Sequence, residues 1–256
     1  MGRNGRRRIE TQHFVIRDDK CAMKVGTDAL LLGAWTNAAG VQSVVDIGSG
    51  SAIVLLMVAQ RSASGCTLTG IELDPRAAAQ GQANADDSPF AAQVVQADAL
   101  VWLRTEIARN VDLFVCNPPF FRDKPLGPDP TRNMARHDLA MPIETLLQLL
   151  PSAMSSRGRF SLVWPDERMQ ELDKLLAAQN WLTLRRRAVK GHPEAPVFRH
   201  LLELAPKSSV SAVPIGPTAD EAPFLVEACP RQPGKPPEYS EEYIELLAPY
   251  FPQLRR

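Results

Sequence analysis

A chain of 256 residues, 45% hydrophobic and 23% charged, is long enough for one large globular domain or one domain with appendages. The longest uninterrupted apolar run, residues 52–59, is far short of the ~20 residues that cross a bilayer, and no apolar segment backs the arginine-rich start, so a cytosolic protein is expected. Basic and acidic side chains balance at 29 each, so any nucleic-acid binding must come from local patches rather than a global field.

In chain order, residues 1–40 precede the first strand and contain Lys24, Val25, Gly26, Thr27 and Asp28, followed by an apolar segment over 29–35. Between residues 41 and 206, short β-branched runs alternate with helical patterns, the mark of strands crossing over through helices into a parallel sheet, so the fold class is α/β. Strands are expected at 43–47, 67–72, 93–96, 111–116, 159–164, 182–189 and 197–205, seven in all, with helices at 52–61, after Asp74-Pro75, at 141–155 and at 166–179. Asp74 reads as an N-cap with Pro75 in the first turn behind it. The proline-rich stretch 208–238 lacks periodicity and reads as a loop-like extension before a short helix over 240–247, so residues 207–256 form an appendage to the core. Cys21, Cys66, Cys116 and Cys229 are dispersed with no CxxC pair, which argues for buried or half-buried thiols and against a metal site.

Asp46-Ile47-Gly48-Ser49-Gly50 stands where a strand ends and a helix begins, and glycines there let a ligand approach the backbone. The dinucleotide pattern G-x-G-x-x-G fails at Ile53, whereas D-x-G-x-G fits. Asp46 suits a cationic amino group, Glu72 at the next strand end can accept both hydroxyls of a ribose, and Asp98 after the third strand can accept from an adenine amino group. Each acid alone could equally cap a helix or turn. Together they suit a nucleoside bearing an amino acid, which describes S-adenosylmethionine.

Asn117-Pro118-Pro119-Phe120 closes the fourth strand. The amino nitrogen of an aromatic base is a poor nucleophile because its lone pair is delocalised into the ring. The Asn117 amide oxygen and the Pro118 carbonyl can each accept one amino hydrogen and turn the lone pair towards a methyl donor. Prolines 118 and 119 fix φ and hold both acceptors rigid, and Phe120 offers a face for the base to stack on.

These residues, together with 21–35 and the terminal Tyr239-Ser240-Glu241-Glu242-Tyr243, resemble the bacterial valine-tRNA adenine-N6 methyltransferases, which modify the adenine 3′ of the anticodon. The resemblance covers residues 10–250. It implies a seven-stranded, Rossmann-like class I methyltransferase sheet, doubly wound, with the last strand antiparallel. It further implies that residues 24–28 close over S-adenosylmethionine, that Asp46, Gly48, Gly50, Glu72, Leu73, Asp98, Ala99 and Asn117 help to hold it, and that Asn117, Pro118, Pro119 and Phe120 orient the adenine. This chain departs from such enzymes at Ala52, where a third glycine is common.

The first 24 residues carry seven basic side chains against three acidic ones, so Arg6, Arg7 and Arg8 are candidates to track phosphates. Arg132 and Arg136, in the loop after Phe120, are candidates for the same role beside the reacting base. Arg185, Arg186 and Arg187 read instead as a solvated sheet edge, with Arg186 facing away from its neighbours. The N-P-P-aromatic motif also serves enzymes that methylate a guanine of ribosomal RNA or a protein glutamine, and residues 23–35 are what separate this chain from those. A nicotinamide-dependent oxidoreductase is disfavoured at Ile53, and a catalytically inactive RNA-binding module is disfavoured by the intact motif.

Overall fold

The computed structural model of the chain describes residues 8–105, 109–118, 142–212 and 222–255. It opens with a small antiparallel hairpin, β1 (Arg8–Glu10) and β2 (Val15–Arg17), followed by α1 (Thr27–Trp35). Then come β3 (Ser43–Ile47), α2 (Ile53–Ala59), β4 (Thr67–Glu72), α3 (Pro75–Asp86), β5 (Ala92–Gln96), the short α4 (Ala99–Trp102) and β6 (Val111–Cys116). The second half contributes α5 (Ile143–Ala153), β7 (Met154–Pro165), α6 (Met169–Ala178), β8 (Trp181–Lys190), β9 (Val197–Pro206), β10 (Phe224–Leu225) and α7 (Glu241–Leu247).

Among the described residues the main sheet has eight strands in the order β10-β8-β9-β7-β6-β3-β4-β5. Of these only β9 runs against its neighbours, pairing antiparallel with both β7 and β8. The seven expected strands are therefore β3 to β9, with the last one reversed, and β10 is an eighth that the sequence reading treated as loop. A two-residue strand is too short to show periodicity. Its pairing is completed by the Val226 amide donating to the Lys190 carbonyl (3.0 Å) and the Glu227 amide to the Gly191 carbonyl (2.8 Å). The hairpin strands β1 and β2, three residues each, escaped the reading for the same reason.

Alternate residues of the central strands enter two separate cores. Val44, Leu113, Val115, Val163 and Leu201 pack with α1, α2 and the C-terminal residues Tyr243, Leu247, Tyr250 and Phe251. Val45, Phe114, Cys116, Leu162 and Leu202 pack with α5 and α6 on the other face. Helices on both faces of a mostly parallel sheet are what continuous apolar strands require. Asp74 caps α3 as the sequence indicates, accepting from the Arg76 and Ala77 amides (2.7 and 2.9 Å) with Pro75 in the first turn.

The arginines of β8 alternate as expected, and because β10 pairs only with Val189 and Lys190, no described strand lies outside β8 at Arg185–Arg187, but two of the three are partnered rather than freely solvated. Arg185 stacks over Trp35 (4.0 Å), Arg187 pairs with Glu242 (2.7 Å), and Arg186 points the other way towards Asp173 (3.6 Å). All four cysteines are free, with Cys21 and Cys116 buried. No described helix is long and apolar enough to cross a membrane.

Candidate active site

The glycine turn follows β3 with Gly48 and Gly50 at positive φ (72° and 52°), and the Gly48 and Ser49 amides donate to the Ile71 carbonyl (2.8 and 3.1 Å). Ala52, where helix was expected to begin, also lies in the left-handed region (φ 63°, ψ 16°) and is fully buried, so α2 starts one residue later. An L-residue costs about 1–2 kcal/mol in that conformation. Ala52→Gly relieves that strain but removes a buried methyl, about 0.8 kcal/mol, and raises the unfolded chain's entropy. Equilibrium denaturation is therefore expected to place the variant within about 1 kcal/mol of the parent.

Two glycines that carry no motif keep this turn in place. A Cβ on Gly81, within α3, would sit 2.7 Å from the Gly50 carbonyl oxygen, and one on Gly70 would sit 2.7 Å from the Ser49 hydroxyl. The Gly50 oxygen is backbone and cannot swing aside. Gly81→Ala is accordingly expected to displace the turn and weaken S-adenosylmethionine binding about tenfold or more, read by calorimetry, whereas an exposed helical Gly→Ala change would be stabilising. Asn84, one turn further along α3, is buried and binds both the Ser51 carbonyl (2.9 Å) and the Arg17 backbone (2.8 and 3.1 Å), tying the N-terminal segment to the turn.

Strand order places the sequence-derived acids in a row. Asn117 follows β6, Asp46 and the glycines end β3, Glu72 ends β4 and Asp98 follows β5, and these four strands are consecutive neighbours. Three inter-strand steps span roughly 14 Å, the scale of an extended nucleoside conjugate. Asp46 is buried with Oδ2 unpartnered among the described residues. Burial, aided by the nearby Glu72 carboxylate, pushes its carboxyl up to about 7 against a lowering backbone hydrogen bond from Leu55. A buried acceptor of this kind fits the positively charged end of S-adenosylmethionine.

Glu72 is held from both sides: Oε2 accepts from the Gly50 amide (2.8 Å) and Oε1 from the Asp74 amide (2.9 Å). A carboxylate retains lone pairs after two such bonds, so Glu72 is pre-oriented, and it also braces the turn. Asp98 caps α4, accepting from the Leu100 and Val101 amides (2.7 and 3.2 Å), so the capping alternative holds for this residue whatever else it binds. Beside these acids Leu73 is 47% exposed, an apolar surface open to a ring, while Ala99 is buried.

A cavity of about 490 Å³ is bounded in part by Met23, Lys24, Gly26, Thr27, Asp28 and Asn117. It thus unites the N-terminal segment with the motif residue. The Asn117 Oδ1 is buried without a partner among the described residues, and Pro118 is buried beside it. Pro119 and Phe120 lie outside the described residues. Lys24 does not extend into open space: its ammonium donates to the carbonyls of Asp18, Asp19 and Cys21 (2.7, 3.1 and 3.0 Å), cinching the segment's own backbone. The Val25 amide donates to Asp18 (2.9 Å), and Asp28 accepts from Arg199 of β9 (3.0 Å).

The far wall of the cavity was not legible in the sequence. Gly191 and His192 come from the β8–β9 turn, Phe198 from β9, and Glu227 and Arg231 from the strap that follows β10. None sits in a motif, and their shared wall arises only from the reversed strand. Of the proposed RNA contacts, Arg8 is exposed on β1 and pairs with Glu10 (3.2 Å), while Arg6, Arg7, Arg132 and Arg136 lie outside the described residues. Among the described residues no three His, Cys, Asp or Glu side chains cluster to hold a metal ion.

Residues 21–140 match the family model of the methyltransferase small domain. Solved structures with the same fold include a predicted O-methyltransferase from Agrobacterium tumefaciens (16% identity, TM-score 0.62, covering 86% of this chain and 95% of that one). Another is a Thermus thermophilus 16S rRNA N2 G1207 methyltransferase in complex with AdoMet and guanosine (20% identity, TM-score 0.55, covering 78% of this chain and 50% of that one). Similarity in sequence is closer to a tRNA1(Val) (adenine(37)-N6)-methyltransferase of Parabacteroides distasonis, 38% identical over 246 residues, or 95% of this chain and 97% of the relative. A protein of the same name from Yersinia enterocolitica is 36% identical over 196 residues, covering 76% of this chain and 78% of its own. With relatives of this name aligned over 94–96% of its length, the chain belongs to the tRNA1(Val) (adenine(37)-N6)-methyltransferase family.

Proposed function

We propose that the protein transfers the methyl group of S-adenosylmethionine to the N6 nitrogen of an adenine in transfer RNA, at position 37 of a valine tRNA, as its relatives' names describe. The observation that carries this reading is the Asn117 side-chain oxygen, buried and without a partner among the described residues, at one end of the row formed by Asp46, Glu72 and Asp98. S-adenosylmethionine, when bound, supplies an electrophilic methyl group.

The chain's own residues do the rest. Asp46 holds the positive end of the cofactor, Glu72 the ribose, and residues 24–28 cover it from the N-terminal side. Asn117 Oδ1 and the Pro118 carbonyl accept the two amino hydrogens and orient the nitrogen lone pair. No strong base is needed, because the nitrogen becomes acidic as its new bond to carbon forms, and alignment supplies much of the rate. Phe120 stacks the base, and Arg6, Arg7, Arg8, Arg132 and Arg136 take phosphates of a loop whose unpaired bases cost little to extrude. Such a substrate places the work in the cytoplasm.

The decisive experiment is incubation with labelled S-adenosylmethionine and undermodified total RNA, followed by nucleoside analysis. Label in N6-methyladenosine of valine tRNA supports the reading, and label in guanine or in protein refutes it. A second expectation concerns pH. Because the Asp46 carboxyl is raised from 3.8 to about 7, the ligand-free fold holds more protons than the unfolded chain in that window, and Asp46's contribution to stability declines as pH rises through it. A bound cation favours the carboxylate. Cofactor affinity is therefore expected to strengthen as pH climbs through about 7, with proton release in calorimetry, and Asp46→Asn should flatten that dependence.

A further inference from the structure

The strap that follows β10 is a hairpin over residues 226–240. Its arms are joined where the Ala228 amide donates to the Glu238 carbonyl (2.8 Å) and the Ser240 amide to the Val226 carbonyl (3.1 Å), with Glu227 bridged antiparallel to Tyr239. At the tip the Lys235 amide donates to the Gln232 carbonyl (3.1 Å) across Pro233 and Gly234, the latter at φ 78°, a residue pair that a type II turn favours. Pro230, Pro233, Pro236 and Pro237 fix φ along the hairpin, so little conformational entropy is left to lose on binding. Its root is tied down too. The Glu227 amide donates to the Gly191 carbonyl (2.8 Å), Tyr239 stacks on Tyr243 of α7 (4.7 Å between centroids), and Ser240 caps that helix.

Residues 228–237 carry Arg231 and Lys235 and no acidic side chain, and both cations are exposed. Arg231 also lines the cavity that Asn117 borders. Its guanidinium is held by Glu227 (2.6 Å), whose side chain is 14% exposed against 60% for Arg231. That contact uses Nη2 and leaves most of the five N–H donors of the fork available. Lys24, the other lysine or arginine on the cavity wall, is spent on three backbone carbonyls.

We propose that this hairpin is a rigid RNA-contacting finger whose Arg231 and Lys235 take phosphates flanking the target nucleotide. That role rests on the tRNA adenine reading above and deepens it. A base that reaches Asn117 brings its own sugar and phosphates to the rim of the same cavity, where Arg231 stands. The guanidinium's fork matches a phosphate, and Glu227 holds the long side chain in place beforehand, so less order has to be imposed on it when RNA arrives. Phosphates carry no sequence information, so the finger sets where the loop lies and leaves the choice of base to the reacting site. It also supplies local cations to a chain whose net charge is zero.

The test measures binding of a valine tRNA anticodon stem–loop to the full chain across roughly 50–200 mM salt. Arg231→Ala and Lys235→Ala should each weaken binding about threefold or more, and each should reduce the slope of log affinity against log salt by about 0.7, the change expected per phosphate of a single strand. The double variant should lose about twice that slope. In steady-state methylation the loss should fall on KM for the stem–loop far more than on kcat, and affinity for S-adenosylhomocysteine should stay within about twofold. Arg231→Lys, which keeps the charge, should keep the slope. Glu227→Gln, which breaks the same ion pair but leaves the cation, should keep it as well. Full wild-type slopes in both alanine variants, a loss in Glu227→Gln equal to that in Arg231→Ala, or a deficit confined to S-adenosylhomocysteine affinity would each overturn the proposal. If wild type neither binds nor methylates the stem–loop and marks guanine or protein instead, the adenine reading fails and the finger's role falls with it, an outcome distinct from the first three.

Discussion

Asn117→Ala is expected to lower the methyl-transfer rate by about 10²–10³-fold, the scale seen when one preorganised polar group is removed from a reacting centre. The dissociation constant for S-adenosylmethionine should stay within about threefold, because the loss falls on the reacting nitrogen's orientation and not on ground-state binding of the cofactor. The reason lies at the end of β6, where the side-chain oxygen is buried and has no partner among the described residues, which fits the acceptor role proposed for it. Asn117→Asp separates the acceptor role from packing, since it keeps an oxygen of the same reach and should retain more activity than alanine. Single-turnover rates beside calorimetric cofactor affinities check both. Equal rates in wild type and Asn117→Ala would end the orientation mechanism.

Glu203→Ala should cost about 3–5 kcal/mol of folding stability, the penalty for breaking a buried ion pair from one side. Glu203 lies in β9 with 4% of its side chain exposed, between Arg159 of β7 (3.2 Å) and Arg185 of β8 (3.5 Å). Arg159 is itself only 12% exposed and would be left with an uncompensated charge. Because β9 is the one reversed strand, these contacts tie together the three strands on which the far wall of the cavity depends. A loss of that size shifts the midpoint of thermal unfolding of a chain this long by roughly 10 °C, checked by calorimetry. Glu203→Gln, which keeps an acceptor, should lose less, and an unaltered midpoint in Glu203→Ala would show that the arginines are served by solvent instead.

The two predictions sit at opposite ends of what can be read from the chain. Asn117 and Asp46 were legible because each signal is local: a strand of β-branched residues, a breaker, and a polar side chain at the strand's carboxyl end. Strand-helix alternation placed β3 to β6, and parallel crossovers then put all their carboxyl ends on one side, while the order that makes Asn117, Asp46, Glu72 and Asp98 consecutive came from the tertiary structure. Asp74 and Pro75 announced α3 for the same reason, since a cap needs only its nearest neighbours.

Other features have no local signal. Gly81 looks like an indifferent helix residue until α3 docks against the Gly50 carbonyl, and Ala52 reads as a good helix former although its backbone is left-handed. Asn84 is an ordinary amide until it bridges Arg17 and Ser51. The chain alone determined the fold class and the standing of Asp46, Glu72, Asp98 and Asn117 at strand ends, because these depend on residue type and short spacing. Only the tertiary structure decided the cavity's far wall, because His192, Phe198 and Glu227 meet Asn117 when β9 reverses and the strap closes on the β8–β9 turn. Contacts between segments so distant in sequence are set by packing and hydrogen bonding across the sheet, which no local run of residues encodes.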